Sequence, residues 1–119
     1  MARSDLPSGK SLETKSFLTK QQAHSIAEFL RILSNANRLK MICALMHREM
    51  CKEELAKTVG LSQSAVFQHL IVLIAGRLLH RRKISATTYY QLCPQAVADI
   101  QTVQKLLEQA RAINLFSPR

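Results

Sequence analysis

A mainly α-helical fold with one small β-ribbon is the class this chain predicts, and three observations carry it. Apolar residues recur at helical spacing between residues 21 and 75, interrupted by Ser/Asn and Gly breaks. Past Gly76 the texture changes to two β-prone runs, Leu79–Lys83 and Thr87–Leu92. From Pro94 the helical period returns and lasts to Ile113. At 119 residues, 47% of them apolar, the chain supports one domain with a modest core.

Residues 1–20 mix Pro, Gly, Ser and charge without period and read as a flexible arm; 115–119 read as a C-terminal tail, leaving a domain over 21–114. Ile26, Phe29, Leu30 and Leu33 fall at i, i+3, i+4 and i+7, the stripe of a first helix. Ser34-Asn35-Ala36-Asn37 breaks it and supplies cap residues for a second. That helix is expected to bury Leu39, Ile42, Cys43 and Met46. A short third helix starts near Cys51 and ends at Gly60, a residue suited to a left-handed C-terminal cap. Ser62 then caps a fourth, running to about Ala75 with Ala65, Leu70 and Leu73 inward.

Two short helices joined by a tight turn containing glycine form a helix-turn-helix, whose second helix lies in the major groove of DNA. The β-prone runs around Ile84-Ser85-Ala86 make a two-stranded wing, and Pro94 opens a fifth helix. Its stripe is Val97, Ile100, Val103, Leu106, Leu107, Ala110 and Ile113. This order is that of a winged helix-turn-helix of about five helices. The stripes of the first and last helices have no obvious place in so small a core. They predict a homodimer formed through those two helices, with packing inside one subunit as the alternative.

The formal charge of +9 favours a polyanionic partner, nucleic acid before an anionic membrane surface. No run approaches the ~18 apolar residues of a membrane span. MARSDLPSGK lacks the apolar centre of a signal peptide, so the expected place is the cytoplasm, with no membrane partner. Cys43, Cys51 and Cys93 are an odd number at wide spacing, expected to be reduced thiols. Catalysis is unsupported. Three glycines make no phosphate-cradling loop, and His24, His47, His69 and His80 fall on separate elements. No enzyme activity and no cofactor are therefore expected.

The stretch GLSQSAVFQHL supplies the recognition alphabet. Gln pairs bidentately with adenine N6 and N7, Ser donates or accepts, and an apolar group touches the thymine methyl. Gln63, Ser64, Phe67, Gln68 and His69 are accordingly expected on the outward side, with Ser62 at the cap. Other roles stay open: Ser62 as a cap alone, His69 as a hydrogen-bonding brace of the turn, Phe67 as a core residue. Arg77, Arg81, Arg82 and Lys83 are four cations in seven residues with no acid among them, suited to phosphates or the minor groove.

Leu33 to Leu92 resembles the ArsR (SmtB/ArsR-type) winged-helix transcriptional repressors. The marks are SNANRLKMI at the second helix, LAKTVGLSQSAVFQHL over the helix-turn-helix, and RRK and TTYYQL over the wing. Within the family, RLKMICALM is most similar to the HlyU, NolR and BigR-like branch. The resemblance implies a homodimer on a pseudo-palindromic double-stranded DNA operator, repressing transcription until an effector weakens binding. A winged-helix protein-interaction module without specific DNA readout is the rival, and activator versus repressor is left open.

Departures from the family pattern bear on the signal. Many metal-sensing members carry Cys-Val-Cys at the start of the third helix, whereas Glu49–Leu55 keeps only Cys51, with Glu53 in the second place. Others bind zinc through the last helix, but Asp99–Arg111 contains no histidine. A soft metal wants several converging thiolates or imidazoles. No metal site is therefore assigned, although His47, Cys51 and Glu53 keep a metal-responsive repressor as an alternative. Redox-responsive relatives pair a second-helix cysteine with one on the last helix; Cys43 matches the first and Gln109 stands at the second. Cys43 is expected on the apolar stripe as an inert core thiol. Cys93, directly before Pro94, and Cys51, beside Lys52, sit at helix N-termini where the dipole stabilises a thiolate, so any oxidative response is assigned to them. The family usually has glycine where Arg77 stands, and Gly76 falls one place early, which predicts an altered turn into the wing. Ile71, Val72 and Ile74 make the end of the recognition helix unusually apolar, a feature suited to extra dimer or partner contact.

Overall fold

The computed structural model describes residues 18–113. Five helices and three short strands follow in the order α1 (Lys20–Leu33), α2 (Ala36–His47), β1 (Met50–Cys51), α3 (Lys52–Val59), α4 (Gln63–Ala75), β2 (Leu79–Ile84), β3 (Thr87–Leu92) and α5 (Pro94–Ala112). The arm expected over residues 1–20 ends earlier than the composition suggested. Thr19 and Gln22 form a reciprocal capping box, Gln22 N–H to Thr19 Oγ1 at 3.0 Å and Thr19 N–H to Gln22 Oε1 at 2.9 Å, so α1 starts at Lys20. The rest of that arm and the tail at 115–119 lie outside the described residues.

Asn35 opens α2 by accepting from Arg38 N–H at 3.0 Å, and Arg38 Nε reaches back to the Ile32 carbonyl at 2.7 Å. Together they fix the angle between α1 and α2. The buried face of α2 differs from expectation: Met41, Ile42, Ala44 and Leu45 point inward, whereas Leu39 is 44% exposed and Cys43 is exposed. Met46 is only partly buried against the core. The run MICALM is apolar at every position, so periodicity along it cannot say which side packs; α3, α4 and β3 decide.

Glu54 accepts the Cys51 N–H at 3.1 Å and closes the start of α3. Gly60 ends α3 with φ 74, its N–H bonded to the Ala56 carbonyl at 2.9 Å. Ser62 Oγ accepts Ala65 N–H at 3.1 Å and starts α4. The axes of α3 and α4 differ by 109°, within the roughly 90–120° of a helix-turn-helix. Val66, Leu70 and Leu73 are fully buried on the inner side of α4, each worth roughly 1.5–3 kcal/mol of transfer free energy. Val66 takes the place expected for Ala65, which is half-buried.

The sheet is three-stranded and antiparallel, in the order β1-β3-β2, rather than a two-stranded ribbon. Met50 and Cys51 pair with Tyr90 and Tyr89. Two residues are too few for an alternation to be read in sequence. The wing itself runs in register from Leu79 opposite Leu92 to Ile84 opposite Thr87, so Ser85 and Ala86 alone make the turn. At the wing's base, Arg77 takes the left-handed φ of 66 itself, while Gly76 has φ −82. Gly76 serves close packing instead: a Cβ there would meet the tip of the buried Ile32 side chain, which would have to shift.

Pro94 is the first residue of α5, and only the first turns of that helix reach the core, through Ala96, Val97 and Ile100. Beyond them Val103 and Ala110 are half-buried, but the large side chains of the expected stripe are exposed: Leu106 60%, Leu107 40% and Ile113 72%. Ile26 and Leu30 of α1 are likewise exposed. No single helix among the described residues is long and apolar enough to cross a membrane.

Candidate nucleic-acid interface

The outward side of α4 carries Gln63, Ser64, Phe67 and Gln68, all exposed, with His69 half-buried behind them. Ser62 is a helix cap by geometry, and its exposed position leaves it at the rim of this face. Phe67 does not fold back into the core; it is 44% exposed, and Lys52 of α3 places its ammonium 5.5 Å from the ring centroid. Among the described residues, no side-chain hydrogen bond ties His69 to the turn. Ile71, one turn past Phe67, is also exposed, whereas Val72 and Ile74 pack on the core.

Arg77, Arg81, Arg82 and Lys83 are all exposed along the entry to the wing and its first strand. They do not act alike. Side chains paired across a sheet share a face, so Arg81 and Lys83 continue the face of Tyr90 and Leu92. Arg82 lies on the opposite face with Tyr89, and there its guanidinium forks onto Glu49, Nε to Oε1 at 3.2 Å and Nη2 to Oε2. That carboxylate, through its hydrogen bonds first and its charge second, raises the guanidinium pKa further. Arg82 stays cationic but its charge is offset by Glu49, while Arg81 and Lys83 carry no such partner among the described residues.

The three cysteines are separated in role. Cys43 is exposed beside Leu39, His47 and Val59, not in the core as expected. Cys51 and Cys93 are half-buried N-cap residues of α3 and α5, and the Cys93 N–H bonds to the Leu78 carbonyl at 2.8 Å. Among the described residues no three His, Cys, Asp or Glu side chains converge as metal ligands, so His47, Cys51 and Glu53 are not brought together.

Glu49 and Lys52 are the members of this surface that sequence reasoning missed; Ile71, singled out in the sequence for extra contact, is exposed beside them. Neither Glu49 nor Lys52 is a near neighbour in sequence of the side chain it touches, so no local pattern could have found them.

Residues 35–80 match the family model for the bacterial regulatory proteins of the arsR family. Over 82 residues the chain is 37% identical to the transcriptional activator HlyU of Vibrio cholerae, spanning 68% of this chain and 76% of that protein. The chain belongs to the ArsR family. It is also 40% identical over 80 residues to the nodulation protein NolR of Rhizobium meliloti, and 34% over 79 residues to the transcriptional repressor SmtB homolog of Synechocystis. Those two alignments span 66% and 60% of the relatives' own lengths. The solved structure of HlyU from Vibrio cholerae superposes with a TM-score of 0.67 at 30% identity, covering 74% of this chain and 97% of that one. At the turn into the wing, Arg77 itself adopts the left-handed backbone that glycine takes most readily.

Proposed function

We infer that this ArsR-family chain is a sequence-specific DNA-binding transcriptional regulator, acting as a homodimer on a palindromic operator in the cytoplasm. The observation that carries this reading is α4: held at 109° to α3, it turns an uncharged amide, hydroxyl and aromatic face outward beside a cationic wing. Gln63, Ser64, Phe67 and Gln68 read bases, and His69 positions the helix. Arg77, Arg81, Arg82 and Lys83 contact the phosphate backbone. Exposed Ile26 and Leu30 on α1 and Leu106, Leu107 and Ile113 on α5 support the two-fold pairing, since burying such side chains is the principal gain of association.

Repression is the mode we assign, in line with the name of the Synechocystis relative, although HlyU is named an activator. An oxidant or reactive-sulfur response is assigned to Cys51 and Cys93, the half-buried N-cap residues of α3 and α5; exposed Cys43 is the further candidate. Enzymatic chemistry has no role here.

The test is retention of duplexes from the DNA upstream of the chain's own gene, measured across salt concentrations, with and without peroxide. A regulator of this kind prefers one palindromic duplex and shows log affinity falling linearly with log salt. Weak retention without sequence preference would instead identify a protein-docking module.

A further inference from the structure

The outward stripe of α4 has a composition that a solvated helix face would not have. Ser64, Phe67, Gln68 and Ile71 stand at i, i+3, i+4 and i+7, and two of the four are large apolar groups, Phe67 at 44% and Ile71 at 48% exposure. Val72 and Ile74, from the same apolar run, turn inward, so Ile71 is left out for a reason other than the core. No Arg, Lys, Asp or Glu occurs anywhere from Gln63 to Ala75. Guanine is read most often by Arg or Lys at O6 and N7, and cytosine N4 by a carboxylate. Those readers are missing from this helix. Amides and apolar groups remain, which fit adenine and the thymine 5-methyl group.

We propose that Phe67 and Ile71 are a methyl-reading pair that contacts two thymines in the major groove, with Lys52 as the residue that positions the Phe67 ring. The proposal rests on the DNA-binding reading above and names what that site recognises. Four residues along a helix advance about 6 Å, close to the roughly 6.8 Å of two base-pair steps. The two side chains are therefore spaced to reach different base pairs of one half-site. Phe67 would be a loose probe by itself, exposed as it is. The Lys52 ammonium over its ring restricts that freedom. Because Lys52 opens α3, at the edge of the same surface, its charge is also placed to approach the adjacent phosphate.

The experiment uses the full chain and a duplex selected from randomised DNA. Each thymine of that duplex is replaced by deoxyuridine, which removes the methyl and leaves base pairing unchanged. Two positions per half-site should each lose about fourfold in affinity, the value of one buried methyl-sized group. Phe67→Ala should abolish the penalty at one of them and Ile71→Ala at the other, with the salt slope unchanged. Lys52→Gln should shrink the penalty at the Phe67 position and lower the slope by about 0.9, and Lys52→Arg should restore both. Equal binding of uracil and thymine duplexes overturns the pair while leaving DNA recognition intact. So does an Ile71→Ala variant that keeps both penalties and instead changes self-association, which would make Ile71 a protein contact. A chain that selects no duplex at all overturns the DNA-binding reading, and the methyl pair with it.

Discussion

Glu49 and Arg82 are 33 residues apart in sequence, yet the carboxylate of one receives the guanidinium fork of the other, tying the wing to the segment before β1. An exposed pair of this kind adds little to folding. Its effect falls on the wing's charge, since the cation that sequence alone offers to DNA is shared with an acid. Glu49→Gln should release Arg82, tighten binding to every duplex and steepen the salt slope by up to about 0.9. In an Arg82→Ala background, itself weaker for all duplexes, Glu49→Gln should change nothing. Affinities across a salt series for the four proteins decide this.

Gln68 is exposed on the candidate recognition face and has an amide able to pair bidentately with adenine. Gln68→Ala should cost on the order of 1–3 kcal/mol against the preferred operator and leave non-specific binding unchanged. Competition between the selected duplex and a scrambled one measures the difference.

At the base of the wing Arg77, not the neighbouring Gly76, has the positive φ. Arg77 occupies a left-handed conformation that costs an L-residue roughly 1–2 kcal/mol. Arg77→Gly should therefore leave thermal stability unchanged or higher by up to about 1 kcal/mol, glycine's own entropy offsetting part of the relief. Gly76→Ala should destabilise by roughly 1–3 kcal/mol, because the new methyl meets buried Ile32. Denaturant midpoints for the two variants should move in opposite directions or, for Arg77→Gly, not at all.

Leu106 and Leu107 lie exposed on the far part of α5. If they pair across the two-fold, each Leu→Ala change removes roughly 1.5–3 kcal/mol of burial per fully covered side chain. Sedimentation should then show dimer dissociation at concentrations about tenfold higher or more for each variant. Operator affinity should fall with it. An unchanged monomer–dimer equilibrium would place the interface elsewhere.

Glu54 holds the start of α3. The Cys51 backbone N–H, the main influence, and Arg48 nearby keep its carboxyl below the ordinary carboxylate value of 4.5. A pKa depressed by folding means stability that is present above that ordinary value and lost as pH falls through the folded one. Melting curves of wild type and Glu54→Gln should differ at neutral pH and converge as the pH falls through the lowered pKa, below 4.5. A difference independent of pH would show that the charge of Glu54 is not what matters.

The helices, their caps and the winged order were legible because each depends on neighbours within a turn or two. Asn35, Gly60 and Ser62 cap by contacts across three or four residues, and the stripe of α4 shows which side is inward almost correctly, one position off at Ala65 and Val66. The candidate recognition face was legible for the same reason: it is the remainder of one helix. What could not be read is the burial of α2, where six consecutive apolar residues leave no period, and the two-residue strand β1, which exists only because β3 lies beside it.

By itself, then, the sequence determined the succession of elements, the helix-turn-helix and the uncharged outward side of its second helix, all set by short-range hydrogen bonds and by apolar spacing along single helices. The tertiary structure alone decided that Cys43 faces solvent, that Glu49 tempers Arg82, and that Lys52 stands over Phe67. These depend on which distant segments meet, and that is governed by how the whole core closes rather than by any residue's near neighbours.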